Sequence, residues 1–345
     1  MAEIRRNLDH SFAIRREKAL QEAERRKQEA QERIPELASL DAKITLSGIR
    51  YARTVLSEKG PDFDADTLSE KISQLNEQKT ALLLAHNLPA DYMEPRFTCP
   101  ICEDRGYITN STNGAFDPCS CYQKLYLEQL YAFSNILDDG QTGFTFFNDS
   151  YFSDKPDKKK YQVETAPRDQ INCIKHSCLE FIDGVTQKET SNLYFFGPTG
   201  TGKTFMAKSV GLELLKKGYT VLYLTATSLF SIIRQYRLNP DHDGTSDEQA
   251  YKNLFTVNLL ILDDLGTEPG SDARYAELLT LLELRKAQDK NHVAKTIISS
   301  NLNSKRLFQE YNERIASRIV GEFNTLHFIG DDIRILKKID GFSAC

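Results

Sequence analysis

Leu193-Tyr194-Phe195-Phe196-Gly197-Pro198-Thr199-Gly200-Thr201-Gly202-Lys203-Thr204 is the stretch on which the reading of this chain turns. Its first four residues suit a short buried strand. The next eight fit the spacing of glycine, four residues, Gly-Lys-Thr, and an amphipathic stretch follows them. A strand, a glycine-rich turn and a helix in that order form a cradle for anions. The glycines allow backbone N–H groups to converge on a β-phosphate, and the positive end of the helix adds attraction. Lys203 is expected to reach the β- and γ-phosphates and the Thr204 hydroxyl to ligate Mg²⁺.

Outward from this loop, short apolar runs alternate with long amphipathic stretches. Val221 to Leu224, Leu259 to Leu262 and Thr296 to Ser299 join Leu193 to Phe196 as candidate strands, the rhythm of a parallel sheet flanked by helices. Leu259-Leu260-Ile261-Leu262 suits a strand buried on both faces, ending at Asp263-Asp264 on the carboxyl edge of the sheet. Asp263 is the candidate metal-side ligand. Asp264 either orients the attacking water or caps the following turn.

On these residues, Phe144 to about Asp340 resembles an AAA+ ATPase of the DnaC-type bacterial helicase-loader branch. The resemblance implies ATP as the nucleotide and an AAA+ domain. It makes Thr296-Ile297-Ile298-Ser299-Ser300-Asn301 a sensor strand with Asn301 near the γ-phosphate. It also makes Arg314-Ile315-Ala316-Ser317-Arg318 the helix of an arginine finger acting in a neighbouring subunit, Arg318 first and Arg314 in reserve, so hydrolysis would depend on ATP-dependent self-assembly. Arg334 takes the second-sensor place. Many AAA+ proteins carry Glu where this chain has Asp264. The shorter side chain implies slow hydrolysis and a nucleotide-gated switch, with Glu268 as an alternative water-positioning group.

The N-terminal part reads differently. Residues 1–90 are rich in Glu, Lys, Arg, Gln, Ala and Leu and predict three helices, the first with a thin apolar stripe (Ile4, Leu8, Phe12) that fades, so that it is expected to extend into solvent. Thr67 and Glu70 form a capping box for the third, after a break at Gly60-Pro61. A solvated hairpin and a partner-binding arm fit this composition equally. Residues 91–137 carry Cys99-Pro100-Ile101-Cys102, sixteen intervening residues, and Cys119-Ser120-Cys121. Two close thiol pairs, with turns at Gly106, Asn110, Asn113 and Gly114, match a closed structural zinc site; unliganded thiols and an iron–sulfur cluster are the alternatives. Residues 138–170 read as a linker and 171–345 as the ATPase domain. The resemblance extends to loaders of Gram-positive type, whose helical, zinc-bearing N-terminal half grips the replicative helicase.

Between the second strand and Asp263, aromatic and basic residues alternate in Ser228 to Arg237. Arg234 and Arg237 suit DNA phosphates and Phe230 and Tyr236 suit base stacking, with Tyr275 a further candidate. Core packing of the same helical face is the competing reading.

The composition bounds the rest. Forty per cent of the 345 residues are hydrophobic, enough for a sizeable core, and 44 basic against 49 acidic residues give a net charge of -5, so any DNA contact is local. Seven cysteines without an export signal argue for metal ligation over disulfides. No apolar run approaches the roughly 18–20 residues of a membrane helix, and the expected location is cytoplasmic. The expected function is an ATPase that binds the replicative helicase and helps place it on single-stranded DNA. The alternatives are a transposition helper ATPase of an insertion sequence, a P-loop small-molecule phosphotransferase, and a zinc-dependent DNA-binding module.

Overall fold

The computed structural model describes residues 2–56, 65–109, 115–136, 140–238, 246–268, 272–290 and 292–342. The Gly60-Pro61 break, the Thr67 and Leu68 side chains, the turn residues Asn110, Asn113 and Gly114, and Cys345 lie outside them. The chain divides into two compact units, Ala2–Leu125 and Tyr126–Cys345. The division falls inside one helix, α4 (Ser120–Phe133), whereas the sequence reading closed the cysteine-rich segment at residue 137.

The first unit holds α1 (Ala2–Arg33), α2 (Pro35–Leu56), α3 (Ala65–Ala85) and a two-stranded antiparallel ribbon, β1 (Tyr107–Thr109) with β2 (Phe116–Pro118). The expectation that α1 extends into solvent is corrected: Leu8, Phe12, Ala19, Ala23 and Ala30 are all buried along it. Alanines at helical spacing bury a seam without advertising it as apolar in the sequence. At its N-terminal end α1 packs on the cysteine segment. The Phe12 ring lies 5.4 Å from Tyr122, and the Tyr107 hydroxyl donates to Asp9. Farther along, Ala30, Ile34, Leu37, Leu83 and Met93 form a small core.

In the second unit, α5 (Lys158–Tyr161) and α6 (Pro167–Asp183) precede the sheet. The chain then alternates through β3 (Asn192–Phe196), α7 (Lys203–Lys216), β4 (Val221–Thr225), α8 (Ala226–Leu238), α9 (Ser246–Thr256), β5 (Leu259–Leu265), α10 (Asp272–Gln288), β6 (Lys295–Ser300), α11 (Ser304–Glu310), α12 (Glu313–Glu322), β7 (Phe323–His327) and α13 (Ile333–Phe342). The strands pair in parallel in the order β4-β5-β6-β3-β7. All four expected strands are present. β7 is an addition: its Phe-Asn-Thr-Leu-His edge sequence has too few apolar residues to signal a strand. Tyr194, Leu222, Leu260, Leu262 and Ile298 meet Leu229, Phe230, Leu281, Ile315 and Ile319 in the main core. Asn303 and Asn312 cap α11 and α12 by accepting from the N–H groups of Arg306 and Ile315.

Candidate nucleotide site

The loop between β3 and α7 works as a cradle because side chains are excluded from it. A Cβ on Gly197 would lie 2.1 Å from the Phe328 carbonyl oxygen, and one on Gly200 would lie 2.1 Å from the Asp332 carboxyl. Gly200 and Gly202 also adopt positive φ, 80° and 94°. Lys203 opens α7, and its Nζ donates to the carbonyls of Gly197 and Pro198 (both 2.7 Å) and to Asn301 Oδ1 (2.8 Å). All three ammonium hydrogens are thus held within the loop and at the end of β6. Burial lowers the Lys203 ammonium to about 8, while the nearby carboxylates of Asp264 and Asp263 act to raise it and Arg334 to lower it.

β5 brings the two carboxylates to the same edge. Its pairing with β6 shifts register between Leu262 and Leu265, a bulge that turns the strand where Asp263 and Asp264 sit. Asp263 points inward, 1% exposed. Its Oδ2 accepts from the Thr204 hydroxyl (2.8 Å) and the Tyr223 hydroxyl (2.7 Å), and its Oδ1 from the Asp264 N–H (3.1 Å). Asp264 takes a left-handed conformation, φ 55°, and faces outward. Burial raises its carboxyl above the usual range, reinforced by Asp263 and opposed by Lys203 and Arg334.

Beside these groups opens a cleft of about 270 Å³ with two kinds of wall. Lys203, Thr204, Asp264, Asn301 and Arg334 form the polar side. Phe146, Phe147, Tyr151 and Phe152, from the segment before α5, form an aromatic side. Thr199, Gly200 and Gly202 join them to the loop, and Ile333 ties α13 to it by donating its N–H to the Gly200 carbonyl (3.0 Å). From sequence these aromatics fall in a linker, and whether that linker touches the adenine stays open. Tyr223 has no role in the sequence reading, and its signal lies only in pairing: Thr225 stands opposite Asp263, which puts Tyr223 on the same sheet face two residues away.

Other candidates fall elsewhere. Glu268 is outside the residues lining the cleft, and its carboxylate accepts from the Tyr311 hydroxyl and from the Gly266 N–H (3.0 Å). Arg318 is ion-paired to Glu283 at 3.1 Å on α12, and Arg314 is exposed on the same helix. Phe230 is corrected as a base-stacking residue, because it is 6% exposed within the core. Tyr236 stacks on Tyr251 with ring centroids 4.0 Å apart, Arg237 pairs with Glu277 at 3.1 Å, and Arg234 is exposed. The Tyr275 hydroxyl donates to the Glu310 carbonyl.

In the first unit, the Sγ atoms of Cys99, Cys102, Cys119 and Cys121 all lie within 4.8 Å of one another. Cys99 and Cys119 are 3.9 Å apart and Cys102 and Cys121 3.5 Å, close to the ~3.8 Å between sulfurs of a tetrahedral zinc–thiolate site. The buried Asp104 carboxylate accepts the N–H groups of Thr98 and Cys99 and fixes the first thiol turn. Backbone hydrogen bonds around Cys102 lower the Cys99 thiol to about 7, whereas burial raises the Cys102 and Cys121 thiols. The cluster fits a metal ion.

A five-stranded parallel sheet in this order, with a phosphate-binding loop after its β3 strand and an acidic pair near the end of β5, is the fold of a P-loop nucleotide-binding domain of the AAA+ class. The model of the IstB-like ATP binding proteins matches residues 158–336, just over half of the chain, and the chain belongs to that family. It is 27% identical over 165 residues to the replicative helicase loader DnaC of Escherichia coli, covering 47% of this chain and 61% of that protein. It therefore spans less than two thirds of this relative's length. It is 29% identical over 178 residues to the putative insertion sequence ATP-binding protein y4uH of Sinorhizobium fredii, covering 51% and 68%. Among solved structures, a DnaC helicase loader is similar at 24% identity with a TM-score of 0.39, over 46% of this chain and 89% of that one. No helix among the described residues is long and apolar enough to cross a membrane.

Proposed function

We propose that the chain is a magnesium-dependent ATPase that couples nucleotide state to loading of a replicative helicase onto single-stranded DNA. The observation that carries the nucleotide chemistry is the convergence of Lys203, Thr204, Asp264 and Asn301 on one cleft, with Asp263 hydrogen-bonded behind Thr204. In this reading the triphosphate displaces the Lys203 ammonium from the Gly197 and Pro198 carbonyls, and the aromatic wall receives the base. Thr204 and Asp263 would hold Mg²⁺, which would supply positive charge to the phosphates. Asp264 orients water, Asn301 reads the γ-phosphate together with Lys203, and Arg334 approaches the phosphates from α13. Arg318 exchanges its intramolecular partner Glu283 for a neighbouring subunit's nucleotide when copies assemble, a guanidinium contribution of order 10³–10⁵ in rate where measured.

The loader assignment rests on the DnaC relatives and on the first unit, which lies outside the family match. Its helices and zinc-held cysteine segment offer a helicase-binding region. Zinc with four cysteine ligands has no open position and acts structurally. Phosphate contact with DNA falls to Arg234, and Arg237 joins only by leaving Glu277.

Family membership and the insertion-sequence relative favour a second reading, a transposition helper ATPase. Co-purification with a replicative helicase or with a transposase, each with and without ATP, separates them. ATP-dependent capture of the helicase supports the loader; capture of the transposase alone overturns it. Arg318→Ala should keep nucleotide binding and lose assembly-stimulated phosphate release, and full turnover by that variant removes the trans-acting arginine.

A further inference from the structure

A hydroxyl that ligates a cation does so through a lone pair and must place its proton elsewhere. Thr204 places that proton on Asp263 Oδ2, 2.8 Å away. The Thr204 geometry is therefore only as fixed as the carboxylate. Asp263 is buried, and rotation about its last torsion would carry Oδ2 away from Thr204. One oxygen is held from the main chain, Oδ1 by the Asp264 N–H, at a bulge where the backbone departs from the regular ladder. The other has a second donor, the Tyr223 hydroxyl at 2.7 Å, delivered from the adjacent strand β4. β4 pairs regularly with β5 right up to Thr225 and Asp263, so Tyr223 stands on an unbulged strand. Its ring is in turn covered from α7 by Lys208, whose Nζ lies 4.8 Å from the centroid, one helical turn beyond Thr204.

We propose that Tyr223 is a positioning residue for magnesium: its hydroxyl locks the Asp263 carboxylate so that Thr204 turns its lone pairs to the metal bound with the nucleotide. This rests on the nucleotide site proposed above and assigns a new member to it. Tyr223 touches neither nucleotide nor metal and acts through Asp263. The Thr204–Asp263–Tyr223 chain joins α7, β5 and β4, so it ties the metal side of the cradle to the sheet independently of Lys203, which is held by the loop and β6.

The test uses the full chain and a fluorescent ATP analogue, titrated with Mg²⁺ from a chelator-buffered baseline. Tyr223→Phe removes one oxygen and keeps the ring and its contact with Lys208. Losing one hydrogen bond to a charged group is expected to raise the Mg²⁺ midpoint by about tenfold or more. Metal-free nucleotide affinity and the circular dichroism spectrum should be unchanged, because the phosphate cradle is intact. Tyr223→His, which keeps a ring N–H donor, should recover part of the shift. In an Asp263→Asn background the Tyr223→Phe change should shift the midpoint further by less than twofold, since the two residues act as one unit. An unchanged midpoint in Tyr223→Phe, an equal loss of metal-free affinity, or fully additive effects with Asp263→Asn overturns the assignment. Should Tyr223→Phe not fold, Tyr223→His decides: a raised midpoint that is not raised further in the Asp263→Asn background supports the role, and a wild-type midpoint or a shift fully additive with Asp263→Asn overturns it. Failure of the wild-type chain to bind the analogue at any Mg²⁺ concentration removes the underlying nucleotide reading, a result distinct from those above.

Discussion

Lys203 is a buried ammonium whose hydrogens are all committed to the protein, and that condition sets a pH dependence. Only its protonated form attracts a triphosphate. With burial holding it at about 8, nucleotide affinity should fall as pH rises past 8, and binding near pH 8 should take up protons, visible as a buffer-dependent heat in calorimetry. An affinity flat between pH 7 and 9 would contradict that assignment. The stability sign is the opposite. The unfolded chain holds this proton up to about 10.5, so it binds more protons than the nucleotide-free fold between about 8 and 10.5, and this residue's contribution to stability rises across that window. The P-loop residues were legible from sequence because their geometry is local: spacing alone puts the glycines, Lys203 and Thr204 on one turn. Tyr223 was not, because its partner lies 40 residues away and only strand register joins them.

At the scale of elements, Arg285 shows how the sheet edge opposite the site is pinned. It is 1% exposed on α10, and its guanidinium donates to the carbonyls of Leu254, Phe255, Val257 and Lys295 and to the Thr296 hydroxyl. It thereby joins the end of α9 to the starts of β5 and β6. Arg285→Met strips donors from buried carbonyls and should cost about 3–5 kcal/mol in urea denaturation. A loss under ~1 kcal/mol would show that water or another side chain satisfies them. The cysteine segment makes a second prediction. Purified protein should hold about one zinc per chain, and Cys119→Ser should lose it and lower the first unit's melting temperature while leaving nucleotide affinity intact. Iron in place of zinc, or no metal at all, would select one of the other readings of the thiols. Both thiol pairs were visible in the sequence, since ligand spacing is short-range. The docking of α1 was not, because Ala19, Ala23 and Ala30 carry little apolar signal, and β7 was missed because an edge strand needs only Phe323 and Leu326 inside. Phe230 failed as a DNA candidate for the complementary reason: its spacing fits a core face as well as an exposed one.

Across the whole molecule, two units of different chemistry are joined through α4: a P-loop ATPase domain, and a unit of helices with a four-cysteine cluster. The family match covers residues 158–336, within the first of these, and in the proposed function partner choice falls to the second. If the helicase grip belongs to the N-terminal unit, Cys119→Ser should weaken helicase capture while ATP binding persists; capture unaffected by the substitution would move the grip to the ATPase unit. Every step of the proposed cycle nevertheless depends on occupancy of the cleft at Gly197–Thr204. The most direct test is calorimetric titration of the full chain with Mg-ATP, wild type against Lys203→Ala. Saturable binding at one site per chain, absent in Lys203→Ala, is the predicted result; no heat from the wild type, or equal binding by both, would contradict it.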